Sequence, residues 1–204
     1  PIRAEEWNVN EPGYLEADTV AHCGVSLAGN FAWSITYTDI LTGWTESRAI
    51  WNKGFEGVLT QTRELEAALP FPILAFDCDN GGEFLNYHLV RYFQKRKHPV
   101  TFTRSRPYHK DDNAHVEQKN WMHVRQLFGY DRFENPELVK LMNDLYRQEW
   151  FWFRNFFCPS MKLISKERVK SRWIKKYDEP ATPYQRLLKW QGLNAEKRQT
   201  LHKL

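Results

Sequence analysis

Three acidic residues stand in segments where an acid is costly unless it has work to do. Asp18 lies inside the run LEADTVAHCG (15–24), otherwise patterned as a buried strand. Asp79 closes the apolar run PILAFDCD (72–79), just before Asn80-Gly81-Gly82. Glu117 opens a helix-like stretch, one position from its apolar stripe. A buried carboxylate is unfavourable unless it is paired or bound to a cation. Carboxylates that converge repel one another, and a divalent metal with hard oxygen ligands resolves that repulsion. Two such ions about 4 Å apart activate an attacking oxygen and stabilise the leaving oxygen of a phosphodiester. Asp77 competes for the second place, because positions 77 and 79 face the same side of a strand. Asp79 is preferred, since it adjoins glycines that let backbone approach phosphate. Taken singly, each acid also fits an ordinary turn or cap residue.

These acids need elements to bring them together. Residues 15–24, 31–40 and 44–51 read as three strands joined by the turns SLAGN and LTG. GFEGVLTQTRELEAAL (54–69) has helical spacing and is ended by Pro70. Residues 72–79 follow as a central strand, 82–97 as a helix and 99–104 as a further strand. SRPYHKDDN (105–113) is a polar loop, and Asn113 is expected to cap a helix whose stripe is Val116, Trp121, Val124, Leu127 and Phe128. Another helix runs from Asn135-Pro136 to Phe156, with Asn135 as cap and Pro136 at its first position. The order β-β-β-α-β-α-β-α-α predicts an α/β architecture: a mixed five-stranded sheet flanked by helices, the order of the ribonuclease H-like fold. The expected divisions are an N-terminal arm (1–14), the catalytic core (15–157) and a basic C-terminal extension (158–204) without clear periodicity.

The 204 residues are 42% hydrophobic and 15% aromatic, enough for a real core. Cys23, Cys78 and Cys158 include no CxxC pair, so a reduced setting is favoured over a disulfide framework. No apolar run approaches a membrane span, and no secretory signal opens the chain. The chain begins at Pro1 rather than Met, as a piece of a longer protein would. The net charge is only +4, but it is unevenly spread. Every charged residue from Arg91 to Lys110 is basic, and Glu167 is the single acid between Lys162 and Lys176. Two such blocks fit a polyanion path, or else two solvated faces. Tryptophans 33, 44, 51, 150 and 152 fall in strand or helix patterns, which favours core packing over sugar stacking. Part of the aromatic cluster 150–157 is a candidate contact with another subunit. His22, Cys23, His109 and His115 lack the paired spacing of a zinc site.

FDCDNGGEF (76–84) resembles the D-N-G-x-x-F strand and turn of retroviral-type integrases and bacterial insertion-sequence transposases, the DDE family. NAHVEQKN (113–120) resembles that family's G-x-V-E-x-x-N helix start, LEADTV (15–20) its first strand, and ATPYQRLL (181–188) the closing segment of one bacterial transposase group. The resemblance covers Leu15 to Leu188. It departs from the pattern in the loop PYHKDDNAHVE, which lacks the usual Pro and Gly and adds Asp111 and Asp112 as possible competing ligands. It departs again at Trp121, where relatives often carry Lys or Arg.

The resemblance implies a catalytic and metal-binding triad of Asp18, Asp79 and Glu117. It implies Mg²⁺ or Mn²⁺ as cofactor, with two ions once DNA is bound. Water would cut at a transposon end to free a 3′-OH, and that hydroxyl would attack a target phosphodiester, with no covalent protein–DNA intermediate. The expected partners are DNA, both transposon ends and target, and further copies of the chain, with no membrane; the expected location is the bacterial cytoplasm, at the nucleoid. Arg104, Arg106, Lys110, Lys119 and Arg125 are the expected DNA-binding residues, and the 162–176 block is assigned to salt-sensitive phosphate contacts. The alternatives are a nuclease that only cleaves and a catalytically inert DNA-binding or assembly module.

Overall fold

The structure is a computed structural model that describes Trp7 and residues 9–79, 81–105 and 119–203. Its main sheet has the strand order β3-β2-β1-β4-β5. The strands are β1 (Tyr14–Ala21), β2 (Ala32–Asp39), β3 (Thr45–Trp51), β4 (Ala75–Cys78) and β5 (Thr101–Arg104). The first three form an antiparallel meander, while β4 pairs in parallel with both β1 and β5. Parallel neighbours need crossovers, and helices α1 (Phe55–Ala68) and α2 (Tyr87–Gln94) supply them.

Alternation along the strands separates two faces. In the β1–β4–β5 rows, Leu15 lies beside Phe76 and Phe102, and all three are buried in the main core with Leu65, Phe84, Leu89 and Phe93. The opposite face of the same strands carries the row Glu16, Asp77 and Thr103. Gly13 sets this register at the entry to β1. Its N–H donates to Asp39 Oδ1 at 2.7 Å and its carbonyl accepts from Leu74 N–H at 2.8 Å. It holds φ +117°, and a Cβ there would meet the Pro72 carbonyl oxygen at 2.3 Å, so only glycine fits.

The second helical layer covers β3. A π-helical turn, Trp121–Arg125, runs into a short helix, α3 (Gln126–Phe128). The wider turn directs His123 and Val124 inward and leaves Trp121 exposed, so Trp121 is not part of the expected buried stripe. Helix α4 (Glu137–Arg147) begins as expected: Asn135 Oδ1 accepts from Glu137 N–H at 3.0 Å, with Pro136 already helical. It does not run unbroken to Phe156. Gln148 leaves the helical region at φ −110°, ψ −103°, and α5 (Glu149–Trp152) restarts before a π-helical turn, Phe153–Phe157.

That break aims two asparagines at the outer edge of β3. Asn143 Oδ1 accepts from Ala49 N–H at 2.8 Å, and its Nδ2 donates to Ala49 O at 2.8 Å. Asn155 does the same to Thr45, at 2.9 Å each way. Each side-chain amide replaces the backbone of a missing strand at its rung, so the edge is satisfied at Thr45 and Ala49, both buried.

After Cys158 the chain is more regular than its composition predicts. β6 (Leu163–Val169) and β7 (Arg172–Tyr177) form a separate two-stranded ribbon. Helix α6 (Pro183–Lys189) follows behind a capping box in which Thr182 Oγ1 accepts from Gln185 N–H at 3.1 Å, and α7 (Ala195–Lys203) closes the described chain. Leu187, Leu193 and Leu201 are buried in the main core. Among the described residues no helix is long and apolar enough to cross a membrane.

Candidate active site

The last paired residues of β1 and β4 are Ala17 and Cys78. Asp18, still within β1, and Asp79, just past β4, are the next residues along, so the acids stand on neighbouring parallel strands at the same level. Asp77, one pleat earlier, is fully buried and accepts a hydrogen bond from Thr103 Oγ1. Asp18 and Asp79 are only partly buried. The two candidates therefore differ in depth, Asp77 being the more deeply buried.

Each of the two acids is oriented. Thr19 N–H donates to Asp18 Oδ1 at 2.7 Å, and Asn120 Nδ2 donates to Asp18 Oδ2 at 2.7 Å. Gly81 N–H donates to Asp79 Oδ1 at 2.9 Å. Burial pushes the Asp79 carboxyl above the ordinary range; the Gly81 N–H opposes this, Glu83 adds to it and Lys53 partly relieves it. The neighbouring Cys78 thiol is pushed up by burial first, then by the charges of Asp77, Asp79, Glu83 and Asp18. That list traces four carboxylates around one strand end.

Glu83 and Asn120 had no assigned role at the sequence level. Glu83 is 5% exposed, accepts from Thr19 Oγ1 at 3.1 Å and pairs with Lys53 Nζ at 2.5 Å. It ties the turn after β4 to β1 and to the loop before α1. Its signal was its place in DNGGEF, four residues after Asp79. Asn120 is the closing residue of E-x-x-N, close to one helical turn after Glu117.

Glu117 lies outside the described residues, as do Arg106, Lys110, Asp111, Asp112, Asn113, Val116, His109 and His115. Among the described residues no group of three His, Cys, Asp or Glu side chains could hold a metal ion. Of the described basic candidates, Arg104 ends β5 beside Cys78. Arg125 donates to Gly129 O at 3.3 Å and lies over the Tyr130 ring at 4.6 Å. Lys119 is held down to about 8, by burial first and then by Arg154, Lys162 and Arg186. The three do not share one row: the cations pressing on Lys119 come from the C-terminal segments.

The remaining histidine and tryptophan expectations concern packing. His22 is buried, shares a hydrogen bond with Ser34 Oγ at 2.7 Å and stacks on Phe133 at 4.8 Å. Trp44 is 2% exposed in the main core, with Phe151 and Phe156 against it. Trp150 donates to His123 O at 2.9 Å.

No family model matches the sequence. The chain is 38% identical over 187 residues to a protein of Sinorhizobium fredii named "Uncharacterized protein y4rM". The match takes in 91% of this chain and 53% of the relative, so the chain spans about half that relative's length. Among solved structures it resembles the HTLV-2 integrase catalytic core domain in complex with magnesium, dimeric form, at TM-score 0.52 and 14% identity, covering 85% of this chain and 95% of that one. A chain of the simian T-cell lymphotropic virus intasome in complex with PP2A regulatory subunit B56 gamma gives TM-score 0.54 at 15% identity, covering 72% and 49%. The fold is therefore that of an integrase catalytic core, a ribonuclease H-like mixed five-stranded sheet flanked by helices.

Proposed function

We propose that this chain is the catalytic domain of a DDE-type transposase or integrase, which cleaves DNA to free a 3′-OH and joins that hydroxyl to a second phosphodiester. One observation carries the reading: Asp18 and Asp79 stand side by side on β1 and at the end of β4, and Asn120, three residues after Glu117 in the sequence, donates to Asp18. The likeness to the integrase core bound to magnesium supports it.

The donor set fits a hard divalent cation. Both groups are carboxylates, and burial together with the charge of Glu83 disfavours ionised Asp79 until a cation is present. Asp18, Asp79 and Glu117 would hold it. When bound, Mg²⁺ or Mn²⁺ polarises the phosphate and acidifies an attacking water or hydroxyl. The chain's own contribution is orientation. Thr19 N–H and Asn120 fix the two oxygens of Asp18, Gly81 N–H fixes Asp79, and Glu83 clamps the turn to β1. DNA, comprising transposon ends and target, is the proposed partner, with at least two copies of the chain acting together.

The test is Mg²⁺- or Mn²⁺-dependent cleavage of duplex DNA, plus strand transfer from a pre-cut 3′ end. Wild type should do both and Asp79→Asn neither. Equal activity in the two proteins overturns the assignment. Cleavage without strand transfer from the pre-cut end leaves the nuclease reading instead.

A further inference from the structure

The β6–β7 ribbon stands out because almost none of it is buried. Leu163, Ile164, Val169, Trp173, Ile174 and Tyr177 are all exposed, Trp173 at 54%. A two-stranded ribbon is marginally stable alone in water. Here it is rooted firmly. Lys162 Nζ donates to Leu41 O at 2.7 Å and to Ile40 O at 2.5 Å, and Asp178 N–H donates to Lys162 O at 2.9 Å. Asp178 in turn is paired with Arg186 of α6.

Its register sorts the side chains. Lys166 is opposite Lys175 and Arg168 opposite Trp173, so these four share one face. That face has three cations, one tryptophan and no acid, and Lys166 Nζ lies 4.7 Å from the centre of the Trp173 ring. The other face carries Glu167, Val169, Arg172, Ile174 and Lys176, with Ser165. It is mixed and partly apolar. Composition showed a basic block; pairing shows three cations without an acid on one face, against Arg172, Lys176 and Glu167 on the other.

The root of the ribbon lies within reach of the side chain of Lys119. A Cβ on Gly43 would lie 3.8 Å from Lys119 Nζ, and Gly43 belongs to the same β2–β3 turn whose carbonyls hold Lys162. Lys119 immediately precedes Asn120, the partner of Asp18. Lys119 thus connects the segment that bonds Asp18 to the turn that roots the ribbon.

We propose that the β6–β7 ribbon is a second DNA-contact element, which lays its Lys166, Arg168, Trp173 and Lys175 face along the phosphates of duplex DNA leading to the carboxylates. The path to the acids rests on the function proposed above, whereas binding by the ribbon does not. The charge complementarity is direct, and the ribbon's width suits the major groove, which admits a two-stranded β-ribbon. At about 3.3 Å per residue, its six or seven residues span roughly 20 Å, about half a turn of duplex or slightly more.

The experiment is anisotropy of a labelled duplex of arbitrary sequence with the whole chain in EDTA, over a series of KCl concentrations. The variant Lys166→Ala/Arg168→Ala/Lys175→Ala should bind at least 10-fold more weakly at low salt, and the slope of log affinity against log salt should fall by about 2 to 3. Arg172→Ala/Lys176→Ala, on the other face, should lose markedly less. Trp173 fluorescence should change on adding duplex. An unchanged slope in the triple variant overturns the proposal, as does an equal loss from the opposite face. Tighter binding of single-stranded DNA or RNA than of duplex, or a ribbon face occupied by a second copy in sedimentation, overturns it as well. Binding in EDTA needs neither metal nor cleavage, so failure of the catalytic assignment and failure of the ribbon are read separately.

Discussion

Asn120 donates to Asp18 across 102 positions of sequence, joining the helical segment that carries Asn120 to β1. The contact links two parts of the site that no local pattern connects. Asn120→Ala should keep the fold and lower metal-dependent cleavage by about 10- to 100-fold, as loss of a ligand-orienting partner does. A Mg²⁺ titration checks it: the half-saturating concentration should rise, and a merely structural role would leave it unmoved.

Asp79 predicts a conflict between stability and activity. Its carboxyl is raised above the ordinary range, chiefly by burial, so the folded chain holds that proton more readily than the unfolded chain. Its stabilising contribution is complete at pH below the unfolded value and is lost as pH rises through the raised one. Without metal at neutral pH, Asp79→Asn should therefore melt higher than wild type while losing cleavage. The advantage should vanish below about pH 3.9. Mg²⁺ should raise the melting temperature of wild type more than that of the variant.

Buried His22 sets an acid limit. Burial, with Arg125 adding, depresses it from 6.5 to about 4. Between those values the unfolded chain takes the proton and the folded chain does not, so stability should fall as pH drops through that window. The limiting loss is roughly 3 kcal/mol. Buried His123 is depressed too and acts in the same direction. Denaturant melts from pH 7 to 4 should give a flatter curve for His22→Gln than for wild type.

Glu83 is buried against a half-exposed partner. Lys53→Ala leaves a carboxylate that is 2% exposed without its ion pair, and should cost about 1–3 kcal/mol. Lys53→Ala/Glu83→Gln should recover part of that loss in the same urea titration.

The asparagine pair on β3 makes a separate prediction. Asn143→Ala or Asn155→Ala strands one buried N–H and one buried C=O of the edge strand, and each should cost about 2–4 kcal/mol. The double variant should also aggregate faster, by light scattering, because it reopens the edge.

Local patterning made the sheet legible. Apolar and β-branched runs marked β1 to β5, and a mixed sheet followed from a meander succeeded by alternating helices and strands. Helix α2 came out shorter than 82–97 because Asn86 caps it, its Oδ1 accepting from Leu89 N–H at 2.9 Å, so the residues before it form a turn. The ribbon escaped notice because Leu163, Ile164 and Val169 do not alternate, and a bulge lies between Leu163 and Ser165. Asp18 and Asp79 were separately visible as misplaced acids. Their adjacency was not, since it depends on β1 and β4 pairing in parallel across a helical crossover. Asn143 and Asn155 carried no signal at all, because a polar residue among aromatics reads the same whether it faces solvent or a strand edge.

The two amides on Thr45 and Ala49 also decide how copies of this chain can meet. A strand offered by another molecule would have to displace both side chains before it found a free donor or acceptor at those rungs. Growth of one continuous sheet through β3 is thereby opposed, and it is the helices over this edge that face outward, where rigid bodies can pair and part without re-threading their backbones.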